Sequence, residues 1–154
     1  MQNFYYNIPT KIYFGKGQIE QLGKNLKAIT DYVLLAYGGG SIKKNGLYDK
    51  VIEQLKNADI QWEELSGIEP NPRIESVRKG VEICKKHGIG AVLAVGGGST
   101  IDCAKIIASG TCYDGDPWDQ VIDSSKITKA LPVVSVLTLS ATGSEMDGFA
   151  VISD

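Results

Sequence analysis

Three times along the chain an apolar run stops abruptly at a loop of glycine and hydroxyl residues. Tyr32-Val33-Leu34-Leu35-Ala36-Tyr37 ends on Gly38-Gly39-Gly40-Ser41, and Ala91-Val92-Leu93-Ala94-Val95 ends on Gly96-Gly97-Gly98-Ser99. Leu131 to Leu139, interrupted only by Pro132 near its start, runs into Ser140-Ala141-Thr142-Gly143-Ser144-Glu145. Short runs that are apolar on both faces read as buried strands. Beyond the first loop Leu47, Val51, Ile52 and Leu55 fall at helical spacing, and beyond the second Ile101, Ala104, Ile107 and Ala108 do the same. Strands alternating with helices stack into a parallel sheet covered by helices on both faces, so the fold class is α/β.

The rest of the chain fills in this frame. Phe4 to Phe14 is aromatic and β-branched with a break at Pro9, which predicts a β-hairpin or two edge strands ahead of the sheet. Ile19, Leu22, Leu26 and Ile29 mark a first helix, and Ile60 to Leu65 a weaker strand. Pro70-Asn71-Pro72 is a stiff turn in which Asn71 can cap a helix that takes Pro72 at its first position. That helix buries Ile74, Val77, Val81 and Cys84, runs to about His87 and stops at Gly88. The expected architecture is Rossmann-like, in one domain spanning residues 1–154.

Composition removes several classes of function. A net charge of -2, with charged residues interspersed rather than in blocks, gives no basic field for nucleic acid. No apolar stretch approaches the roughly 20 residues of a membrane span, and the N-terminus lacks a signal-peptide core. Cys84, Cys103 and Cys112 are odd in number, lack close pairing, and two of them fall in apolar helical patterns. Buried free thiols and a cytoplasmic location are expected, with neither disulfide nor cysteine metal site.

The loop Gly96-Gly97-Gly98-Ser99 between strand and helix suits a phosphate, because glycines admit backbone N–H groups close to an anion and a helix start is electropositive. A plainer alternative is that Ser99 caps a helix beginning near it, with Asp102 three residues on as in a capping box. Three such loops on one sheet shift the balance. Their strands' C-terminal ends would form a single crevice, the place where open α/β sheets bind nucleotides.

Together these segments resemble the iron-containing (group III) alcohol dehydrogenases, in particular their NADPH-dependent butanol dehydrogenase branch. The likeness rests on Pro9-Thr10-Lys11-Ile12-Tyr13-Phe14-Gly15-Lys16-Gly17, Tyr37-Gly38-Gly39-Gly40-Ser41-Ile42-Lys43-Lys44 and Glu69-Pro70-Asn71-Pro72. It continues through Gly96-Gly97-Gly98-Ser99 with Asp102 and Lys105, and Leu137-Thr138-Leu139-Ser140-Ala141-Thr142-Gly143-Ser144-Glu145. The resemblance implies a dinucleotide-binding first half followed by a metal-binding helical domain that this chain does not contain. It places Gly97, Gly98 and Ser99 around the pyrophosphate, Asp102 near the nicotinamide, and Thr138, Leu139 and Thr142 along the coenzyme. Gly38, Gly39, Ser41 and Asn71 fall at the adenosine end. An acidic residue after the second strand would favour NAD, whereas glycines, Ser41, Lys43 and Lys44 stand there, which suits NADP(H).

The family's divalent metal, iron or zinc, is held by one Asp and three His, and His87 is the single histidine here. At a helix end before Gly88 it reads as solvated or facing the helix dipole. The chain is therefore expected to bind coenzyme without turning over an aldehyde, as the first half of an enzyme acting on small alcohols and aldehydes. A homodimer is expected, with Phe4, Tyr5 and Tyr6 available to pair across its interface. Alternatives are an NAD-dependent glycerol dehydrogenase, separable by coenzyme preference, a dehydroquinate-synthase-like lyase, and a free-standing nucleotide-binding module. Val151-Ile152-Ser153-Asp154 looks like the middle of a strand, which reads as truncation of a longer product.

Overall fold

The computed structural model describes Asn3, Tyr5 and residues 7–154. A short 3₁₀ turn at Gln18–Gln21 leads into α1 (Leu22–Lys27), β1 (Tyr32–Tyr37), the single turn α2 (Ser41–Lys44), α3 (Leu47–Asn57) and β2 (Gln61–Leu65). Then follow α4 (Ile74–His87), β3 (Ala91–Gly96), α5 (Gly98–Thr111), α6 (Pro117–Ile122) and β4 (Val133–Leu137). The four strands are all parallel, in the order β2-β1-β3-β4. Val33 pairs with Ala91 and Tyr37 with Val95, so the two glycine loops leave adjacent strands at the same level.

Each face of the sheet has its own core. On one, Leu34, Ala36, Val92 and Ala94 pack under α4 and α5 through Ile74, Val77, Val81, Cys84, Ile101 and Ile107. On the other, Val33, Leu35, Leu93 and Val95 meet Leu22 and Leu26 of α1 and Val51 and Leu55 of α3. This alternation along β1 and β3 is what period-two geometry requires of strands covered on both sides. Each buried Leu, Ile or Val contributes about 1.5–3 kcal/mol relative to exposure.

The helix α4 ends as its sequence foretells, with Gly88 left-handed at φ 66° and its N–H bonded to the Cys84 carbonyl. Its beginning differs. Arg73, not Asn71, is the residue before the first turn, and Asn71 adopts φ 57°. Asn71 therefore serves the turn between the two prolines as one of the few side chains that tolerate this conformation, and does not cap. Ile74 N–H instead donates to Ser153 O at 2.9 Å, and Ser153 N–H to Pro72 O at 2.9 Å, so the chain's last residues form an isolated bridge rather than a strand.

The N-terminal hairpin is not formed among the described residues, which carry no strand ahead of β1. Phe14 is 95% exposed and Ile12 62%, so these apolar side chains have no sheet face to bury against here. Phe4 and Tyr6 lie outside the described residues. The stretch between α5 and β4, polar in sequence, holds α6, where Asp116 caps Trp118 N–H at 2.8 Å ahead of Pro117 and also takes two bonds from Arg78. The Arg78 guanidinium, with the capped N–H, holds the Asp116 carboxyl below the usual carboxylate range.

Candidate coenzyme crevice at the strand ends

The chain moves one way from β1 to β2 and the other way to β3, so the sheet's switch point lies between β1 and β3. Crevices outside the carboxyl ends of such strands are where this architecture binds ligands. Both Gly-Gly-Gly-Ser loops open there, and the loop after β4 adjoins the one after β3, with Thr142 against Gly98.

At the β3 end, Gly96 closes the strand and Gly97 precedes α5 in an extended conformation, φ -89° and ψ -169°. No side chain caps the helix. Ser99 already lies within the first turn, and Asp102 is turned elsewhere, so the capping-box alternative is not realised. Thr100 and Ile101 N–H groups bond back to the Gly97 carbonyl at 3.1 and 3.2 Å. A Cβ on Gly97 would meet open space, whereas one on Gly98 would run into Thr142 Oγ1. The start of this 14-residue helix is thus a backbone surface with room above it and a hydroxyl loop alongside, a fit for a diphosphate.

The third loop is held by α5. Thr138 N–H continues the strand pairing by bonding Gly96 O at 3.0 Å, and Leu139 beyond it is 66% exposed. Asp102 accepts from Ser144 Oγ at 2.6 Å and from Val151 N–H at 3.1 Å. One turn later Lys105 Nζ donates to Asp147 Oδ1 at 3.0 Å and to the Phe149 carbonyl at 2.7 Å. The Lys105 bond, joined by the Phe149 N–H, lowers the Asp147 carboxyl from its ordinary range. Asp102 and Lys105 therefore fix residues 144–149 against the helix that Thr142 abuts.

At the β1 end the loop is anchored by the segment after β2. Gly67 and Ile68 N–H groups donate to the Gly38 and Tyr37 carbonyls, each at 3.2 Å. Gly40 takes φ 100°, and the four-residue α2 follows with Ser41 at its first position. Lys43, counted from sequence as a free positive charge, is engaged. Its Nζ sits 5.2 Å from the ring centre of Tyr37 and 4.6 Å from that of Tyr48. Both phenols donate to Glu64 on β2, Tyr37 at 2.6 Å and Tyr48 to the other carboxylate oxygen. Burial alone would raise Glu64, but the bonds from Tyr37, Tyr48 and Trp62 and the Lys43 charge outweigh it and hold the carboxyl low. The bond to Glu64 pushes the Tyr48 phenol up to about 12.

The structure thus gathers Gly97, Gly98, Ser99 and Thr142 in one place, sets Gly38, Gly39 and Ser41 at the end of the neighbouring strand, and leaves Asn71 beyond β2. Glu64 carries no local sequence signal, since the parallel pairing of β1 with β2 is what brings it beside Tyr37, whereas Tyr48 lies on α3 just beyond the turn that carries Lys43. Among the described residues no group of three or more His, Cys, Asp or Glu side chains could hold a metal. His87 instead faces Tyr32 Oη and Glu63, each at 3.4 Å, at the far end of α4. Cys84 and Cys103 are buried, which pushes their thiols up to about 11 and about 12, and Cys112 is half-buried. No helix among the described residues is long and apolar enough to cross a membrane.

Comparison with known proteins identifies the family and the fold. The chain is 59% identical to NADH-dependent butanol dehydrogenase A of Clostridium acetobutylicum over 154 residues, all of this chain and 40% of the relative. It is 44% identical to the NADPH-dependent aldehyde reductase YqhD of Escherichia coli over 156 residues, covering 99% of this chain and 40% of the relative. The crystal structure of NADH-dependent butanol dehydrogenase A from Thermotoga maritima superposes with a TM-score of 0.97 at 52% identity, over 100% of this chain and 39% of that one. The chain therefore spans about 40% of the length of these relatives. With the profile described as iron-containing alcohol dehydrogenase matching residues 9–154, the chain belongs to the iron-containing alcohol dehydrogenase family.

Proposed function

We propose that this chain is the coenzyme-binding half of a metal-dependent alcohol dehydrogenase that interconverts primary alcohols and aldehydes, with a nicotinamide dinucleotide lying across the ends of β1, β3 and β4. The observation that carries the reading is the start of α5, uncapped, open above Gly97 and flanked by Thr142. Gly97, Gly98 and Ser99 offer N–H groups to the pyrophosphate. Thr138, Leu139 and Thr142 line the coenzyme, Asp102 steadies the nicotinamide side through the segment it holds, and Gly38, Gly39, Ser41 and Asn71 take the adenosine side. When bound, the coenzyme supplies hydride chemistry at the nicotinamide, and the protein's part is to seat and orient it. The proposed domain is residues 1–154, and the metal belongs to the helical domain with which the family pairs it.

NADP(H) is accepted in this proposal, because the Gly38–Ser41 loop itself carries no carboxylate that would repel a 2′-phosphate. The preference over NADH is small, since the Lys43 charge is already engaged. Relatives named for NADH and for NADPH both match the whole fold, in keeping with a narrow margin. Buried thiols at Cys84 and Cys103 suit a reducing cytoplasm. A homodimer is part of the proposal, with the exposed Tyr5, Tyr13 and Phe14 as candidate interface residues.

Calorimetric titration of the 154-residue chain with NADPH and NADH tests the reading. Both are expected to bind, within about tenfold of each other (about 1.4 kcal/mol), and the chain alone is expected to reduce no aldehyde. Failure to bind either coenzyme overturns the proposal.

A further inference from the structure

The cluster at the β1 end has more in it than a lysine resting on a ring. Lys43 stands two residues beyond Ser41, on the single turn that the glycine loop leads into. There a four-carbon stem would otherwise give a mobile cation to the adenosine side of the crevice. Two aromatic faces hold it instead, and the carboxylate that both phenols bind adds attraction from below. The unit Lys43, Tyr37, Tyr48 and Glu64 is charge-neutral, with one cation and one anion. Tyr37 is buried as the last residue of β1, so its ring is fixed by the sheet. Tyr48, on the first turn of α3, is only partly buried, and it supplies the nearer ring.

We propose that Tyr48, oriented by Glu64, is a specificity-determining residue for the coenzyme, drawing the Lys43 ammonium onto the tyrosine faces and so withholding it from a 2′-phosphate. This rests on the coenzyme reading given above. NADH, whose ribose carries a hydroxyl at that position, does not need the ammonium. NADPH would gain from it, and it binds this chain without the cation that stands two residues beyond Ser41. Lys44 is exposed on the same turn.

The test is a set of titrations on the 154-residue chain with NADH and NADPH, for wild type, Tyr48→Leu, Tyr48→Phe, Lys43→Met and the Tyr48→Leu/Lys43→Met double variant. Tyr48→Leu removes the nearer ring and the bond to Glu64, and is expected to tighten NADPH roughly fivefold while moving NADH less than about twofold. The double variant is expected to lose that gain, and Lys43→Met alone to leave NADPH nearly unchanged. The gain is expected to shrink as salt is raised, as for any exposed charge pair. Tyr48→Phe keeps the ring and the fold, so it carries the test should the leucine variant fail to fold, with a smaller gain in the same direction. Tyr48 variants that move both coenzymes alike or neither, or a Lys43→Met variant that by itself weakens NADPH severalfold, overturn the proposal. Wild type binding both coenzymes in those cases leaves the functional reading standing, whereas wild type binding neither removes both.

Discussion

Gly38-Gly39-Gly40-Ser41 and Gly96-Gly97-Gly98-Ser99 are the same four residues at the same end of neighbouring parallel strands, and they fold differently. After β3 the middle glycine is extended and the helix begins on the third. After β1 the third glycine is left-handed at φ 100° and the helix begins on the serine, only to stop four residues later. The cause lies downstream. Gly46, at φ 79°, interrupts α2, which buries Ile42 alone, whereas α5 buries Ile101, Cys103, Ala104, Ile106, Ile107 and Ala108 over 14 residues. Packing, more than the tetrapeptide, decides how far a helix runs. The proposed function inherits the difference: aligned peptide dipoles favour an anion at the start of the long α5, so the diphosphate is proposed there, while the short α2 is proposed to offer only loop donors beside a tethered lysine.

Valine at the two open glycines tests this asymmetry most severely. A Cβ at either Gly97 or Gly39 meets no atom within 4 Å, so both variants are expected to keep their thermal midpoint. Gly97→Val is expected to weaken coenzyme about a hundredfold (about 2.7 kcal/mol), and Gly39→Val about tenfold or less. Equal losses in a calorimetric titration would break the distinction. Next in size is Gly40→Ala, which forces an L-residue to φ 100° and is expected to cost about 1–2 kcal/mol in urea unfolding. Gly97→Ala, at φ -89°, should cost nothing comparable.

The smallest effect is on acidity. Glu64 is held below its ordinary value in the folded chain, so the stability it contributes is fully present above the unfolded carboxylate range and is lost as pH falls through the lowered folded value. Wild type is therefore expected to exceed Glu64→Gln slightly in thermal midpoint at pH 7, with the gap closing towards pH 3. A gap that widens on acidification would show that the carboxylate is not stabilised by Tyr37, Tyr48 and Lys43.

Much of this was legible in the residues. The runs 32–37 and 91–95, short and closed by glycines, read as buried strands and are, and the apolar stripe of α4 with its terminal Gly88 marked a helix to within a few residues. What escaped was non-local or too short to show a period. The residues from Phe4 to Phe14 have strand composition, yet strand pairing needs a partner and none is formed among the described residues. The six residues of α6 hide in a polar stretch, although Asp116-Pro117 is a readable helix start. In the site, the glycines and Thr142 were visible as a pattern. The fate of Lys43 was not, because the rings of Tyr37 and Tyr48 are aimed at it by the turn from β1 through α2 into α3, which has no period to read, and Glu64 joins them only through the pairing of β1 with β2.

The central claim is that the coenzyme's diphosphate rests on the first amides of α5. Backbone amide NMR spectra of the 154-residue chain, recorded across a titration with NADPH, address it residue by residue. The N–H signals of Gly97, Gly98 and Ser99 are expected to move furthest, with Thr142 next and the Gly38–Ser41 loop following. Saturation that leaves the Gly97–Ser99 amides in place while others shift would contradict it.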